Sequence, residues 1–192
     1  VEMAAKAGAS VVCILGDADD AVIAEAVRTA SVFGVRLMAD LINVSDPVAR
    51  SRELEALGVQ ILNAHVGIDQ QMIGKSSLEL LETIRGAVGI EIAVAGGLDA
   101  QTAPQASARG ADIVIVGGAI TRSADVQDSA RKVREALDSP ASEYTLKVPV
   151  LEETRDLLSG VSAPNISDAM HRKGAMAGII YLAGKKKMVG TA

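Results

Sequence analysis

One phrase constrains this chain more than any other: a glycine, one or two residues, then a short apolar run. It occurs at Gly8 in GASVVCIL, Gly34 in GVRLMADLI, Gly58 in GVQILNAHV, Gly89 in GIEIAVAGG and Gly110 in GADIVIVGG. Glycine directly after a last helical turn is the usual helix stop, because it enters the left-handed conformation without a Cβ penalty. The runs are β-branched and largely unalternating, as parallel strands covered on both faces tend to be. The segments between them carry helical spacing, such as Val22, Ile23, Ala26, Val27 and Ala30, or Leu78, Leu81 and Ile84. Five successive αβ units predict an α/β fold with right-handed crossovers, either an open doubly wound sheet or a (β/α)8 barrel.

The placement of chemistry-bearing residues favours the barrel. Gly16-Asp17, Asp40, His65, Gly96-Gly97 and Gly117-Gly118 fall at the carboxyl ends of all five expected strands, and a barrel gathers such ends into one ring. Two of these ends repeat one motif, AVAGG and VIVGG, a helix length apart. Without Cβ atoms, paired glycines bring bare N–H groups close to a bulky anion, so the repeat predicts a phosphate site. Barrels often build that site after their seventh and eighth strands. On this count five strands of eight are present and three are missing from the front.

Composition excludes other classes. The 192 residues are 49% hydrophobic with a net charge of −5, enough for one soluble core and unlike a nucleic-acid binder. Aromatics are 2%, with no Trp and one Phe, so stacking platforms for single strands are missing and the core must be aliphatic. No apolar run approaches the roughly 20 residues of a membrane span, and no signal segment is visible, which points to a cytoplasmic protein. Cys13, alone in SVVCIL, is expected as a buried, reduced thiol. The opening VEMAAKAG lacks an initiator Met and reads as the inside of a helix, so the chain is expected to begin mid-domain.

The phrases EMAAKAGASVV, ADLINV, LGVQILNAHVGIDQQ, AVAGGL and GADIVIVGGAIT, in this order, resemble the last two-thirds of the 3-hexulose-6-phosphate synthases, within the orotidine-5′-phosphate decarboxylase-like barrels. The resemblance covers residues 1–138. It implies an aldehyde-lyase that joins formaldehyde to ribulose 5-phosphate, giving hexulose 6-phosphate, with Mg²⁺ on an enediolate; the reverse supplies pentose phosphate in many archaea. It also implies a homodimer. The family's Asp-x-Lys-x-x-Asp signature would precede residue 1, so no metal ligand is expected in this chain, and residues 1–192 alone are expected to be inactive.

Residue by residue, the resemblance assigns His65 to proton transfer at the substrate carbon, work that imidazoles suit. Asp40 resembles an acidic residue that touches substrate hydroxyls; its other reading is a buried carboxylate held by backbone N–H groups or by an upstream Lys. Gly96, Gly97, Gly117 and Gly118 would hold the phosphate, or would serve tight helix–strand packing. Where decarboxylase-type relatives place an Arg after the last Gly this chain has Ala119, and Arg122 does not simply inherit that role. GIDQQMIGKSS reads as a lid pivoting at Gly67 and Gly74, or as a surface loop whose Lys75 is solvated or meets a partner subunit's phosphate. Another phosphosugar barrel, an epimerase or sugar-acid phosphate decarboxylase, is an alternative, as is a non-catalytic phosphate- or partner-binding module.

After Leu137 the texture changes. The polar, proline-bearing stretch DSPASEYTLKVP makes residues 139–150 read as a linker. In residues 151–192, VSAPNISDAMHRKGAM resembles the beginning of the ribonuclease-regulator-like (RraA-like) family, which implies a bifunctional fusion and the start of a second α/β domain.

Overall fold

The computed structural model describes residues 1–139. The expected linker beyond Ser139 and the expected RraA-like segment lie outside the described residues. All five apolar runs are strands: β1 (Val11–Leu15), β2 (Arg36–Asp40), β3 (Ile61–His65), β4 (Glu91–Ala95) and β5 (Ile113–Ile115). Among the described residues eight helices accompany them: α1 (Glu2–Lys6), α2 (Asp20–Phe33), α3 (Pro47–Ala56), α4 (Ile68–Gln71), α5 (Ser77–Arg85), α6 (Ala103–Ala108), α7 (Gly118–Thr121) and α8 (Val126–Asp138).

Local chemistry fixes several boundaries. Asp46 caps α3 by accepting from Ala49 N, with Pro47 in the first turn, and Ser76 and Asp125 cap α5 and α8 in the same way. Gly34 ends α2 in the left-handed conformation at φ 66°.

The strands are parallel and stand in the order β1-β2-β3-β4-β5. A doubly wound sheet reverses its order at a switch point, and this sheet does not. Right-handed crossovers that always step the same way put their helices on one side, which makes the sheet an arc of a (β/α)8 barrel.

Register separates the two faces. Leu37, Ala39, Leu62, Ala64, Ile92 and Val94 point to the helices and are wholly buried against Ile23, Leu54, Leu81 and Ile84. Burying each large aliphatic side chain contributes about 1.5–3 kcal/mol, so this aliphatic layer holds the arc together. The other parity forms the inner face: Cys13, Met38, Ile61 and Glu91 align across one level, and Leu15, Asp40, Asn63, Ala93 and Ile113 across the next.

The inner face corrects one expectation. Cys13 is exposed rather than buried, because β1 pairs only with β2 among the described residues and Cys13 lies on the parity away from the helices. Its neighbour Leu15 is likewise 56% exposed, whereas Ile61 and Ala93, in the middle of the arc, are fully buried.

Candidate active site

The carboxyl rim of the inner face carries a polar cluster. Asp40 ends β2, and Asn63 and His65 share the inward parity of β3. Asp40 Oδ2 lies 2.9 Å from His65 Nδ1 and accepts from Asn63 Nδ2 at 3.1 Å, while Oδ1 accepts from the Ile42 amide at 2.9 Å. A carboxylate is an acceptor, so the pair requires the imidazole proton on Nδ1 and leaves Nε2 for the pocket that His65 lines. The Asp40 side chain is only 15% exposed, and its three donors offset the cost of burying a charge.

A backbone N–H does hold Asp40, yet two side chains hold it as well. It does not line the pocket, so in this arrangement it orients His65. The sequence reading missed Asn63. Alternation within ILNAH would have found it, since Asn63 stands two residues before His65 and therefore on the same face. Asn63 Oδ1 is buried without a hydrogen-bond partner among the described residues.

The two glycine pairs, alike in sequence, differ in structure. Gly96 and Gly97 have φ of 102° and 71°. A Cβ on Gly96 would lie 2.3 Å from the Val66 carbonyl oxygen, and one on Gly97 would lie 2.8 Å from Gln71 Oε1. Here the glycines make room for the protein itself. Gln71, on α4, donates Nε2 to Val66 O at 2.7 Å and lays its amide across the pair, while Ser77 Oγ donates to Gly96 O at 2.9 Å. Gly117 and Gly118 are open: nothing lies within 4 Å of a Cβ on Gly117, and only Arg122, at ordinary contact distance, is near one on Gly118. They begin the single turn of α7, whose first amides have no partner within the helix.

A cavity of about 580 Å³ joins these parts. Asn63, His65, Gln71, both glycine pairs, Asp99 and Arg122 line it, with Ile68, Leu98 and Ile115 as apolar walls. The expected lid segment is therefore one wall of the site, through Ile68 and Gln71, and Lys75 does not line it. Asp99 is occupied locally: Oδ1 accepts from Gln101 N, Thr102 N and Thr102 Oγ at 2.8–2.9 Å. Its charge serves the start of α6.

Gly16-Asp17 follows the carboxyl end of β1, as expected, with Gly16 N donating to Asp40 O at 2.8 Å, but it does not line this cavity. Arg50 donates to Gly16 O and Ala18 O, both at 2.7 Å, and pairs with Asp20 and Glu53, so the loop after β1 is clamped from α3. The hydrogen bonds it donates to Glu53 and Asp20 push the Arg50 guanidinium above its ordinary pKa. Asp17 instead borders a separate depression of about 310 Å³ with Asn43, Asp46, Arg50 and Glu53. One level below the rim, partial burial of the Cys13 thiol and then the charge of Asp40 push its pKa up to about 11.

A Mg²⁺ site does not fit the described residues. No three His, Cys, Asp or Glu side chains converge among them, and the oxygens of Asp40 are already taken by three donors.

Residues 1–133 match the orotidine 5′-phosphate decarboxylase / HUMPS family. The chain is 40% identical over 135 residues to 3-hexulose-6-phosphate synthase of Bacillus subtilis, a match covering 70% of this chain and 64% of that protein. It is 38% identical over 129 residues to the enzyme of the same name from Methylomonas aminofaciens, covering 67% and 62%. The crystal structure of 3-hexulose-6-phosphate synthase from Salmonella typhimurium superposes with a TM-score of 0.65 at 40% identity, covering 69% of this chain and 63% of that one. The chain thus spans less than two-thirds of the length of these relatives.

Proposed function

Because the chain belongs to the orotidine 5′-phosphate decarboxylase / HUMPS family, we propose that the protein carrying it joins formaldehyde to ribulose 5-phosphate to give 3-hexulose 6-phosphate, and runs the reverse. One observation carries this reading. His65, its Nδ1 held by Asp40, opens on the same cavity as the bare Gly117-Gly118 end.

In the forward direction His65 Nε2 takes a proton from C1 of the ketose phosphate, and the C–H electron pair forms an enediolate. Its C1 then attacks the formaldehyde carbon; a carbon–carbon bond forms as the carbonyl π pair moves to oxygen, which receives a proton. Asp40 stabilises the imidazolium formed between these steps and keeps the ring in one tautomer. The phosphate end of the substrate rests on Gly117 and Gly118, where the backbone is open, and the Gln71-covered pair shapes the wall beside it. Mg²⁺ stays in the proposal as an ion whose ligands lie outside the described residues.

We further propose a cytoplasmic homodimer with an RraA-like domain from about residue 151. Exposed Met3, Val22 and Val32 on α1 and α2 offer apolar surface for the dimer. Among the described residues no helix is long and apolar enough to cross a membrane.

Formaldehyde release from hexulose 6-phosphate by the protein that carries this chain tests the reaction. A positioned acid–base group contributes about 10²–10⁴-fold, so His65→Ala is expected to lower kcat by that order with little change in KM. Absence of release by the wild-type protein refutes the reaction. A His65→Ala protein that melts earlier yet turns over normally makes the histidine structural.

A further inference from the structure

Two left-handed glycines admit one side chain to the cavity wall. The place of a Cβ on Gly96 lies 3.0 Å from Gln71 Nε2, and that of a Cβ on Gly97 lies 2.8 Å from Gln71 Oε1, so a side chain at either position would displace this amide. The backbone of Gln71 is held as well: its N–H donates to Gly67 O and its carbonyl accepts from Gly74 N, each at 3.0 Å. Gln70, its neighbour in GIDQQ, reaches instead toward Asn43 Oδ1 at 3.4 Å. The two glutamines therefore do different work.

The hold on Gln71 decides which end of its amide is left for a ligand. Val66 O can only accept, so the NH2 group must lie against it, as it does at 2.7 Å. Oε1 is then the end without a hydrogen-bond partner among the described residues. Gln71 lines the same cavity as His65 and the open Gly117-Gly118 end. A neutral acceptor fixed at one place in a site favours a ligand that brings a neutral donor there, and penalises one that lacks it, because the acceptor is then left unpaired.

We infer that Gln71 is a specificity-determining residue whose Oε1 accepts from a chain hydroxyl, at C3 or C4, of the ketose phosphate. This rests on the phosphosugar reading of the cavity and deepens it. In that reading C1 meets His65 and the phosphate meets the open glycine end, which leaves the hydroxyls of the carbons between them as donors for the wall. The segment read from sequence as a lid or a surface loop thereby acquires a task of its own, which is to tell a hydroxylated chain from one without the hydroxyl.

The test is calorimetric titration of the protein that carries this chain with ribulose 5-phosphate and with its 3-deoxy and 4-deoxy analogues, for the wild type, Gln71→Met and Gln71→Asn. Met keeps the length and loses the acceptor. Asn keeps the amide and draws it back by a methylene, and as a polar replacement it answers the question if the Met variant does not fold. A neutral hydrogen bond of this kind corresponds to about tenfold in Kd. The wild type is expected to bind one deoxy analogue about tenfold more weakly than ribulose 5-phosphate, and the variants to bind that pair within about twofold of each other. A merely structural role for Gln71 would weaken both ligands by one factor and keep the wild-type ratio. That result overturns the inference, as does a wild type that binds all three ligands alike. A wild type that binds none of them overturns it together with the phosphosugar reading. Discrimination that depends on Gln71, with no formaldehyde release, sinks the aldolase reading and leaves the inference standing. Formaldehyde release with a ratio independent of Gln71 does the reverse.

Discussion

Replacing Gly96 by Ala separates a glycine required by the fold from one required by a ligand. At φ 102° an L-residue is strained by about 1–3 kcal/mol. The new methyl would also lie 2.3 Å from Val66 O, about 1 Å inside any tolerable contact, and that carbonyl cannot easily retreat. It accepts from Gln71 Nε2 at 2.7 Å, and the Val66 amide donates to Ala95 O at 3.3 Å, which ties the ends of β3 and β4 together. Overpacking of this kind costs about 1–3 kcal/mol more, so the total is about 2–6 kcal/mol against a typical stability of about 5–15 kcal/mol. For a folded unit of this size the lower figure already lowers Tm by about 8 °C. Gly118→Ala is the control: its methyl meets only Arg122 at 3.7 Å, and alanine is the better helix residue, so Tm should hold or rise slightly. Thermal melts of the full chain followed by circular dichroism read both. A Gly96→Ala protein melting within 2 °C of the wild type, an interval of about half a kcal/mol, would refute the close-packing account.

Two further perturbations test the inner face. Asn63→Leu removes the amide that donates to Asp40 Oδ2 and should lower kcat by about tenfold with KM nearly unchanged, because a hydrogen bond to a charged group is worth about 1.5–3 kcal/mol and this one acts through His65; a variant with normal kcat would make Asn63 a packing residue. Cys13, shifted from the ordinary 9.0 to about 11, should react with iodoacetamide about a hundredfold more slowly at neutral pH than a free thiol, and the rate should keep rising beyond pH 10. A plateau near pH 9 would contradict that shift, and Asp40→Asn, which removes its lesser cause, should speed the reaction.

The glycine-and-apolar phrase located all five strands because helix stops and strand runs are local properties of the chain. The faces of those strands are not local. Unalternating runs such as VVCIL and ILNAH give no parity by themselves, and only the pairing of Cys13 with Met38, and of Met38 with Ile61, decides which residues turn from the helices. For that reason Cys13 reads as buried, whereas the two-residue spacing alone puts Asn63 on the face of His65. The glycine pairs show the same limit. AVAGG and VIVGG look equivalent, yet Gln71 arrives from a different segment to occupy the space over the first pair and leaves the second open.

The inner face also shows why the rim is better explained by chemistry than by stability. One level below Asp40 and Asn63, the same face holds Met38 and Ile61, so apolar side chains are compatible with this surface. A carboxylate placed there must be held by donors, and the chain supplies the Ile42 amide, the Asn63 amide and the His65 imidazole to one Asp40. Well-packed apolar residues are often as stable as such a buried polar cluster, or more so. The cluster sits at the carboxyl ends of parallel strands, where barrels place their reacting groups, and its one member with a free ring nitrogen opens on the cavity. The three donors therefore hold Asp40 still so that Asp40 can hold His65, an arrangement that fits the proton transfer proposed for His65 and has no counterpart at the wholly apolar helix side of the same strands.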